Sequence, residues 1–444
     1  MVHTGEGADG RYYSHFAPGQ PALALPFFAL GRLGEALLPE GAVRAMAGPD
    51  RRLRQLRVGG RLEIFAVGFY GPAVVGLLVA VFFLFQRALG TALPTAVACS
   101  LALGPCTYLG TQSTFFLRHA SESLTILGAL LFFFRWKRHG RSRNLWLGSA
   151  LASLTPLVRF PAAVAGPALA AYLGWCLWLR GGRRLDPALW RHALPAIAVP
   201  LLAALALSAA ADFAKWGRPW NVHQLRTASS QHTALGVGLY GFLLSPGASV
   251  FAYTPLLLLA PWCMARLWRE RRAEALACLG LALSFLLAFS RFTGWTGLWS
   301  SPGPRYLLVA VPLLLLPLGL WLDRARSRAP WIAAAALAAL GLFVQVALMS
   351  VSWGGLVEAE GYRASQPKFA FLFFPEQSPV WDAARHLLRG EAVDLWIRAL
   401  WVGGDGRPGA PGAALAVASA WGAALSATLL WIARGLRARG GARS

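Results

Sequence analysis

Long apolar segments with almost no charged residues recur along this chain and limit what it can fold into. One of them, YLLVAVPLLLLPLGLWL (residues 306–322), is close to the length that an α-helix needs to cross about 30 Å of hydrocarbon. Of the 444 residues, 56% are hydrophobic and only 14% are charged. A soluble chain of this length could not remove so much apolar surface from water. The sequence therefore predicts an all-α, polytopic membrane protein, because helices satisfy their own backbone hydrogen bonds in lipid.

Hydropathy predicts about ten or eleven transmembrane helices. The predicted spans are 62–86, 91–112, 118–134, 145–158, 160–179, 192–212, 250–268, 273–291, 305–323, 330–352 and 413–434. They divide the chain into an outer-face segment with interfacial helices, a transmembrane core, an outer loop, and a last helix with a basic tail. These four parts are 1–61, 62–352, 353–412 and 413–444.

The net charge of +23 is concentrated in short loops between the apolar segments. Five of these loops hold 20 of the 42 lysines and arginines, namely 135–143, 180–191, 266–272, 324–328 and 434–443. If residues 145–179 make two passes, all five loops fall on one side, and the positive-inside rule assigns that side to the cytoplasm. The charge therefore indicates orientation, with a cytoplasmic C-terminus, and no nucleic-acid partner is expected.

Cysteine and histidine spacing argues against a metal or nucleotide site. The five cysteines all fall in apolar segments without CxxC spacing, which predicts small core residues. His223 and His232 are nine residues apart and have no third ligand nearby, so no metal site is predicted. No phosphate-loop, HExxH or GxSxG pattern is present.

The stretch DGRYYSHFAPGQPALALPFFALG (residues 9–31) should lie outside by this topology. The preceding residues, MVHTGEGA, contain no apolar run that could export it. We therefore expect a first transmembrane helix to precede Met1. PALALPFFALGRLGEALL and RRLRQLR read as helices on the membrane surface, where arginines meet anionic lipid, or equally as ordinary packing elements.

Charged residues within or beside apolar segments are costly in a membrane and are therefore candidate functional residues. Arg118, His119 and Glu122 begin the third span and share one helical face by their spacing. They form either an internal ion pair or a polar corner of an outward-facing cavity. Arg159 lies between two prolines at a predicted turn, where it either binds a lipid phosphate or extends to the interface.

Two further outer segments are rich in polar, aromatic and glycine residues. FAKWGRPWNV is followed by the glycine-punctuated GLYGFLLSPG, which is too short to span the membrane. GWTGLWSSPGPRY ends with Arg305 and Tyr306 at the start of a span, where Arg305 is placed to hold a phosphate. An interfacial aromatic belt explains the tryptophans equally well.

In order along the chain, these stretches resemble the polytopic bacterial glycosyltransferases of the C superfamily. That group includes the protein O-mannosyltransferases and the lipid A aminoarabinose transferases. The resemblance rests on residues 9–31, LGTQSTFFLRHASESL, TPLVRFPAAVAGP, FAKWGRPWNV with GLYGFLLSPGASVFAYTPLLLL, and GWTGLWSSPGPRYLLVAVP. It covers most of the chain from Asp9 onward.

The resemblance implies an enzyme of the bacterial inner membrane that works at the outer leaflet. Its donor would be a sugar on a polyprenyl phosphate, and its acceptor a lipid, a glycan or a protein. An acidic residue would take the acceptor proton in one inverting displacement. Cationic groups would meet the leaving phosphate, and the candidates are Arg305, His15 and Arg159. The resemblance implies no organic cofactor and leaves a divalent metal open.

The resemblance assigns roles to particular residues. The candidate base is Asp9, then Glu6, unless the base lies upstream of Met1 and this chain is inactive. The candidate substrate-binding residues are Tyr13, His15, Arg118, His119, Glu122, Arg159, Arg305 and Tyr306. The alternative functions are a flippase or transporter for lipid-linked sugars and a non-catalytic fragment.

Overall fold

The computed structural model describes residues 4–40, 43, 61–184, 186–221, 224–225, 231–297, 301–353 and 373–390, with scattered residues from 403 to 434. Three predicted features lie mainly outside the described residues: the surface helix at 51–57, the outer loop at 353–412 and the last span at 413–434. His223 also lies outside them.

The protein is an all-α, polytopic membrane protein, as the sequence predicts. An N-terminal antiparallel hairpin pairs β1 (Thr4–Glu6) with β2 (Tyr12–Ser14). The helices of the described residues begin with α1 (Gly19–Leu37), α2 (Arg61–Gly68), α3 (Tyr70–Leu89), α4 (Leu93–Leu103), α5 (Leu109–Ser113), α6 (His119–His139), α7 (Ser142–Val158) and α8 (Gly166–Arg180). The next are α9 (Pro187–Trp216), α10 (Leu235–Leu243), α11 (Val250–Tyr253), α12 (Ala260–Glu270), α13 (Arg272–Ser290), α14 (Ala310–Leu315), α15 (Leu318–Asp323), α16 (Ala329–Ser350) and α17 (Pro379–Arg389). A short pair of strands, β3 (Gly403–Gly404) and β4 (Arg407–Pro408), follows.

Five helical segments of the described chain are long and apolar enough to cross a membrane. They are Leu62–Leu89, Phe160–Arg180, Pro187–Trp216, Arg272–Ser290 and Ala329–Ser350. A shorter apolar helix lies at Leu93–Leu103, and a shorter apolar segment at Ala310–Asp323 contains α14 and α15. The predicted separation of 145–158 from 160–179 is confirmed, because α7 ends at Val158 and extended Arg159 separates it from the next helical turn.

Prolines divide two segments that the sequence predicts as single helices. The segment 250–268 breaks at Thr254, where the φ and ψ angles of −141° and 78° leave the helical region before Pro255. The segment 305–323 breaks before α15, next to Pro317. The Gln86 side chain donates to the Leu316 carbonyl at 3.2 Å, so this backbone oxygen keeps a partner inside the bundle.

Polar contacts join the helices at the end of the bundle that carries the arginine-rich turns. Lys137 pairs with buried Glu274, which also accepts a hydrogen bond from the Tyr172 hydroxyl at 2.9 Å. Asp323 accepts from the Ala92 amide at 2.6 Å and from the Thr95 hydroxyl at 2.5 Å. The opposite end of the bundle, which we call the distal end, holds the start of α6 and the ends of α7, α9 and α13.

The core is apolar and contains the cysteines. Phe82, Phe134 and Phe285 are completely buried between the helices. The prediction that the five cysteines are small core residues is confirmed, since all five are buried with free thiols.

Two glycines of α3 offer a matched test of this packing. A Cβ at Gly71 would overlap the Ser113 carbonyl oxygen, whereas one at Gly76 would meet no atom within 4 Å. We expect Gly71→Ala to lower the free energy of unfolding by about 1–3 kcal/mol, because backbone atoms would have to move. Gly76→Ala should leave it unchanged or raise it by about 0.5–1 kcal/mol. Unfolding in mixed micelles of increasing SDS content measures both, and equal effects would contradict this packing.

Candidate active site

A buried ion pair at the distal end connects α6 to the end of α7. The Arg159 Nη1 donates to both carboxylate oxygens of Glu122, at 3.0 and 2.9 Å. His119, one turn before Glu122, places its Nδ1 3.4 Å from the same carboxylate. Glu122 is 0% exposed and Arg159 is 4% exposed, so both charges depend on each other for compensation.

Two aromatic rings, those of Phe289 and Tyr306, lie against the Arg159 guanidinium of this ion pair. The Arg159 Cζ lies 4.7 Å from the centre of the Phe289 ring and 5.0 Å from that of Tyr306. The two rings are stacked on each other, 4.9 Å apart. The His119 ring meets Tyr306 edge-on at 5.3 Å. The ion pair is therefore excluded from solvent, whereas Arg118 and Arg305 are partly exposed.

Arg118 has a different environment from Arg159. It lies at the N-cap of α6, and its Cζ stacks 3.7 Å above the centre of the Phe16 ring. No carboxylate pairs with it, and its N–H groups have no hydrogen-bond partner among the described residues. Arg118 is only half-buried. Stacking on a ring leaves the in-plane N–H donors of a guanidinium available, so the donors of Arg118 remain available to a further acceptor.

Arg305 lies close to the same group of side chains. Its guanidinium is 5.3 Å from the centre of the Tyr306 ring, and the same ring contacts Arg159 and His119. Gly297 adopts a φ of +63°, and a Cβ there would lie 2.9 Å from the Arg305 Nε. A glycine at this position therefore lets Arg305 lie against the backbone.

The loop before Arg305 is held by α5. The Gln112 Nε2 donates to the Ser301 hydroxyl at 3.2 Å and to the Pro302 carbonyl at 2.7 Å. The Tyr108 hydroxyl donates to the Pro304 carbonyl at 3.4 Å. Arg305 thus begins its helical turn from a fixed backbone.

Asp9 lies in the turn of the N-terminal hairpin and is exposed. Its carboxylate accepts from the Arg11 amide at 3.1 Å and from the Tyr13 hydroxyl at 2.8 Å. The Tyr13 hydroxyl, and after it the Arg11 amide, hold the pKa of the Asp9 carboxyl below its usual value. The same hydrogen bond raises the pKa of Tyr13. Asp9 is therefore ionised at neutral pH, and exposed Glu6 lies opposite Tyr12 in the hairpin.

His15 joins the hairpin to the end of α9. Its ring stacks on Trp216 with centres 5.4 Å apart, and the Ala8 amide donates to the Lys215 carbonyl at 3.0 Å. Phe16, the next residue, carries the ring beneath Arg118. The hairpin is therefore adjacent to Arg118, which with Arg159 and Arg305 makes up what we call the arginine group.

The structure brings most of the predicted substrate-binding residues together. Those in or beside the buried ion pair are Arg118, His119, Glu122, Arg159, Arg305 and Tyr306. The other two, Tyr13 and His15, belong to the hairpin and its exit, as do the candidate bases Glu6 and Asp9. The partner of Glu122 is Arg159 rather than Arg118, which has the i,i+4 spacing. Phe16 and Phe289 did not stand out in the sequence, because nothing in their spacing relates them to an arginine.

No protein-family model matches the chain, and no curated protein matches it. Among solved structures, the chain is similar to ArnT from Cupriavidus metallidurans, in its crystal structure bound to undecaprenyl phosphate. The two are 17% identical with a TM-score of 0.43, over 80% of this chain and 57% of that one. The chain thus spans less than two thirds of the length of that protein.

Proposed function

We propose that this protein is a membrane glycosyltransferase of the C superfamily that uses a polyprenyl-phosphate sugar at the outer face of the bacterial inner membrane. Its acceptor is a lipid, a glycan or a protein. The observation that carries the proposal is Arg118, a half-buried guanidinium stacked on Phe16 without an ion-pair partner in the described chain. A cation held in this way at the end of a membrane bundle suits the phosphate of an amphiphilic lipid.

An apolar surface beside Arg118 supports a lipid-linked donor. Phe116, two residues before Arg118, is 48% exposed. Its ring lies 5.2 Å from that of Tyr70, which in turn lies 6.0 Å from that of Phe27 on α1. The exposed Phe116 ring, which lies against the buried Tyr70 ring, gives a prenyl chain apolar contact while its phosphate reaches Arg118.

The reaction proposed for this site is a single displacement. The acceptor hydroxyl oxygen attacks the anomeric carbon as its proton passes to a carboxylate. The bond from that carbon to the phosphate oxygen breaks, and polyprenyl phosphate leaves with the bonding electron pair. Arg118 and Arg305 then stabilise the charge that grows on the phosphate.

Asp9 is the carboxylate proposed as the base, with Glu6 as the second candidate. Asp9 is exposed and ionised, and each of its oxygens accepts one hydrogen bond in the hairpin turn. A carboxylate oxygen has a further lone pair, which can take the proton from the hydroxyl group of the molecule that receives the sugar. Glu122 is fully enclosed by its ion pair and is a poor candidate for contact with an acceptor.

The test is transfer of a radiolabelled sugar from polyprenyl phosphate in membranes that contain the protein. We expect the label to leave the donor and to appear covalently on a lipid, glycan or protein acceptor. Donor that stays intact would contradict the proposal. Intact donor that has crossed the bilayer would favour the flippase instead.

A further inference from the structure

Three side chains at the end of α9 and in the loop after it hold two backbone carbonyls of the N-terminal segment. The Asn221 Nδ2 and the Gln224 Nε2 both donate to the His15 carbonyl, at 3.1 and 2.9 Å. The Lys215 Nζ donates to the Phe16 carbonyl at 3.2 Å. We call Lys215, Asn221 and Gln224 the carbonyl clamp.

The clamp is itself ordered by further contacts. The Asn221 amide also donates to the Asp212 carboxylate at 3.3 Å, and the Asn221 oxygen accepts from the Gln224 backbone amide at 3.1 Å. Asn221 and Asp212 are buried. The donors that reach the two carbonyls therefore have fixed positions.

The clamp holds the carbonyl of His15, which immediately precedes Phe16, and the carbonyl of Phe16 itself. Phe16 is the residue that supports Arg118. The Phe16 ring is stacked beneath the Arg118 guanidinium at 3.7 Å. A ring is only as well placed as its own backbone, and the clamp fixes that backbone on both sides of the Phe16 Cα.

We propose that Lys215, Asn221 and Gln224 are positioning residues that orient the Arg118 guanidinium through Phe16. Separate contacts attach the hairpin to α9, since the Ala8 amide binds the Lys215 carbonyl and the His15 ring stacks on Trp216. Loss of the clamp side chains therefore leaves the hairpin docked and releases the Phe16 backbone. The effect on binding rests on the proposed function, whereas the effect on the accessibility of Arg118 does not.

The test uses Lys215→Met and Gln224→Met together, because methionine keeps the chain length and removes the donor. The Phe16 carbonyl then loses its clamp donor, and the His15 carbonyl keeps only that of Asn221, which is left in place because it also binds Asp212. Phenylglyoxal modifies accessible arginines, and peptide mass spectrometry reads each site separately. We expect Arg118 to react several-fold faster in the double variant, with exposed Arg32 unchanged as the internal control. Lys215→Arg in place of Lys215→Met should restore most of the protection, because arginine can donate to the Phe16 carbonyl. Unchanged labelling of Arg118 would overturn the proposal.

A binding cycle provides the second readout. Radiolabelled polyprenyl phosphate is the probe, added to the purified full chain in detergent micelles. We expect the double variant to weaken binding about tenfold, and to have no further effect in an Arg118→Gln background. Equal weakening in both backgrounds would show that the clamp acts on general stability and would overturn the proposal. If Arg118→Gln alone leaves binding unchanged, the proposed function fails, and the labelling result still decides the role of the clamp.

Discussion

Replacing Glu122 by glutamine should lower the free energy of unfolding by about 3–5 kcal/mol. The carboxylate is completely buried and holds both of its oxygens within 3.0 Å of the Arg159 Nη1. Without it, the Arg159 charge stays buried beside the stacked rings of Phe289 and Tyr306 and loses the carboxylate that compensates it. Interaction with the rings offsets only a small part of that cost. Unfolding in SDS mixed micelles measures the change.

Two further variants show whether the ion pair is the cause. Glu376→Gln removes an exposed carboxylate and should change the free energy of unfolding by less than about 0.5 kcal/mol. Glu122→Leu combined with Arg159→Met replaces both charges by apolar groups and should recover most of the lost stability. If the double variant is as unstable as Glu122→Gln, the ion pair does not explain the loss.

Arg118→Gln should reduce the rate of sugar transfer about 100- to 1,000-fold while leaving the fold intact. The arginine has no ion pair to lose in the described chain, and its ring contact with Phe16 contributes little to stability. It would, however, lose the donors that meet the phosphate as its negative charge grows. Arg118→Lys should recover only part of the rate, because an ammonium group cannot form two parallel hydrogen bonds or stack as a plane. Transfer from a radiolabelled donor, measured together with SDS unfolding, separates the two effects.

Arg32→Gln is the matched control for this prediction. Arg32 is an exposed arginine of α1 that lies outside the arginine group. We expect it to leave both the transfer rate and the stability near those of the unchanged chain. An Arg118→Gln protein that folds normally and transfers at the full rate would remove Arg118 from the mechanism.

The all-α, polytopic character was predictable because the signals for it are local. The five helical segments that are long enough to cross a membrane coincide with apolar runs that are visible in the sequence. The breaks at Thr254 and beside Pro317 were less evident, although the prolines mark them. A proline inside an apolar run permits either a bend or a break, and only packing against neighbours decides between them.

The candidate site was only partly predictable because its contacts join distant segments. The shared face of His119 and Glu122 follows from helical spacing, but the pairing of Glu122 with Arg159 depends on how α6 packs against α7. The stack of Arg118 on Phe16 depends on the docking of the hairpin against Lys215 and Trp216. These two residues of α9 are far along the chain from both Arg118 and Phe16. The carbonyl clamp uses side-chain donors on main-chain oxygens, and such contacts leave almost no trace in residue spacing.

Native mass spectrometry of polyprenyl phosphate bound to the purified protein tests the central claim most directly. The claim is that Arg118, supported by Phe16, receives the phosphate of a lipid-linked sugar. We predict one bound lipid on the unchanged chain and on Arg32→Gln, and a loss of at least about tenfold in affinity for Arg118→Gln, which corresponds to 1.4 kcal/mol or more. Equal occupancy of the lipid on all three proteins would contradict the claim.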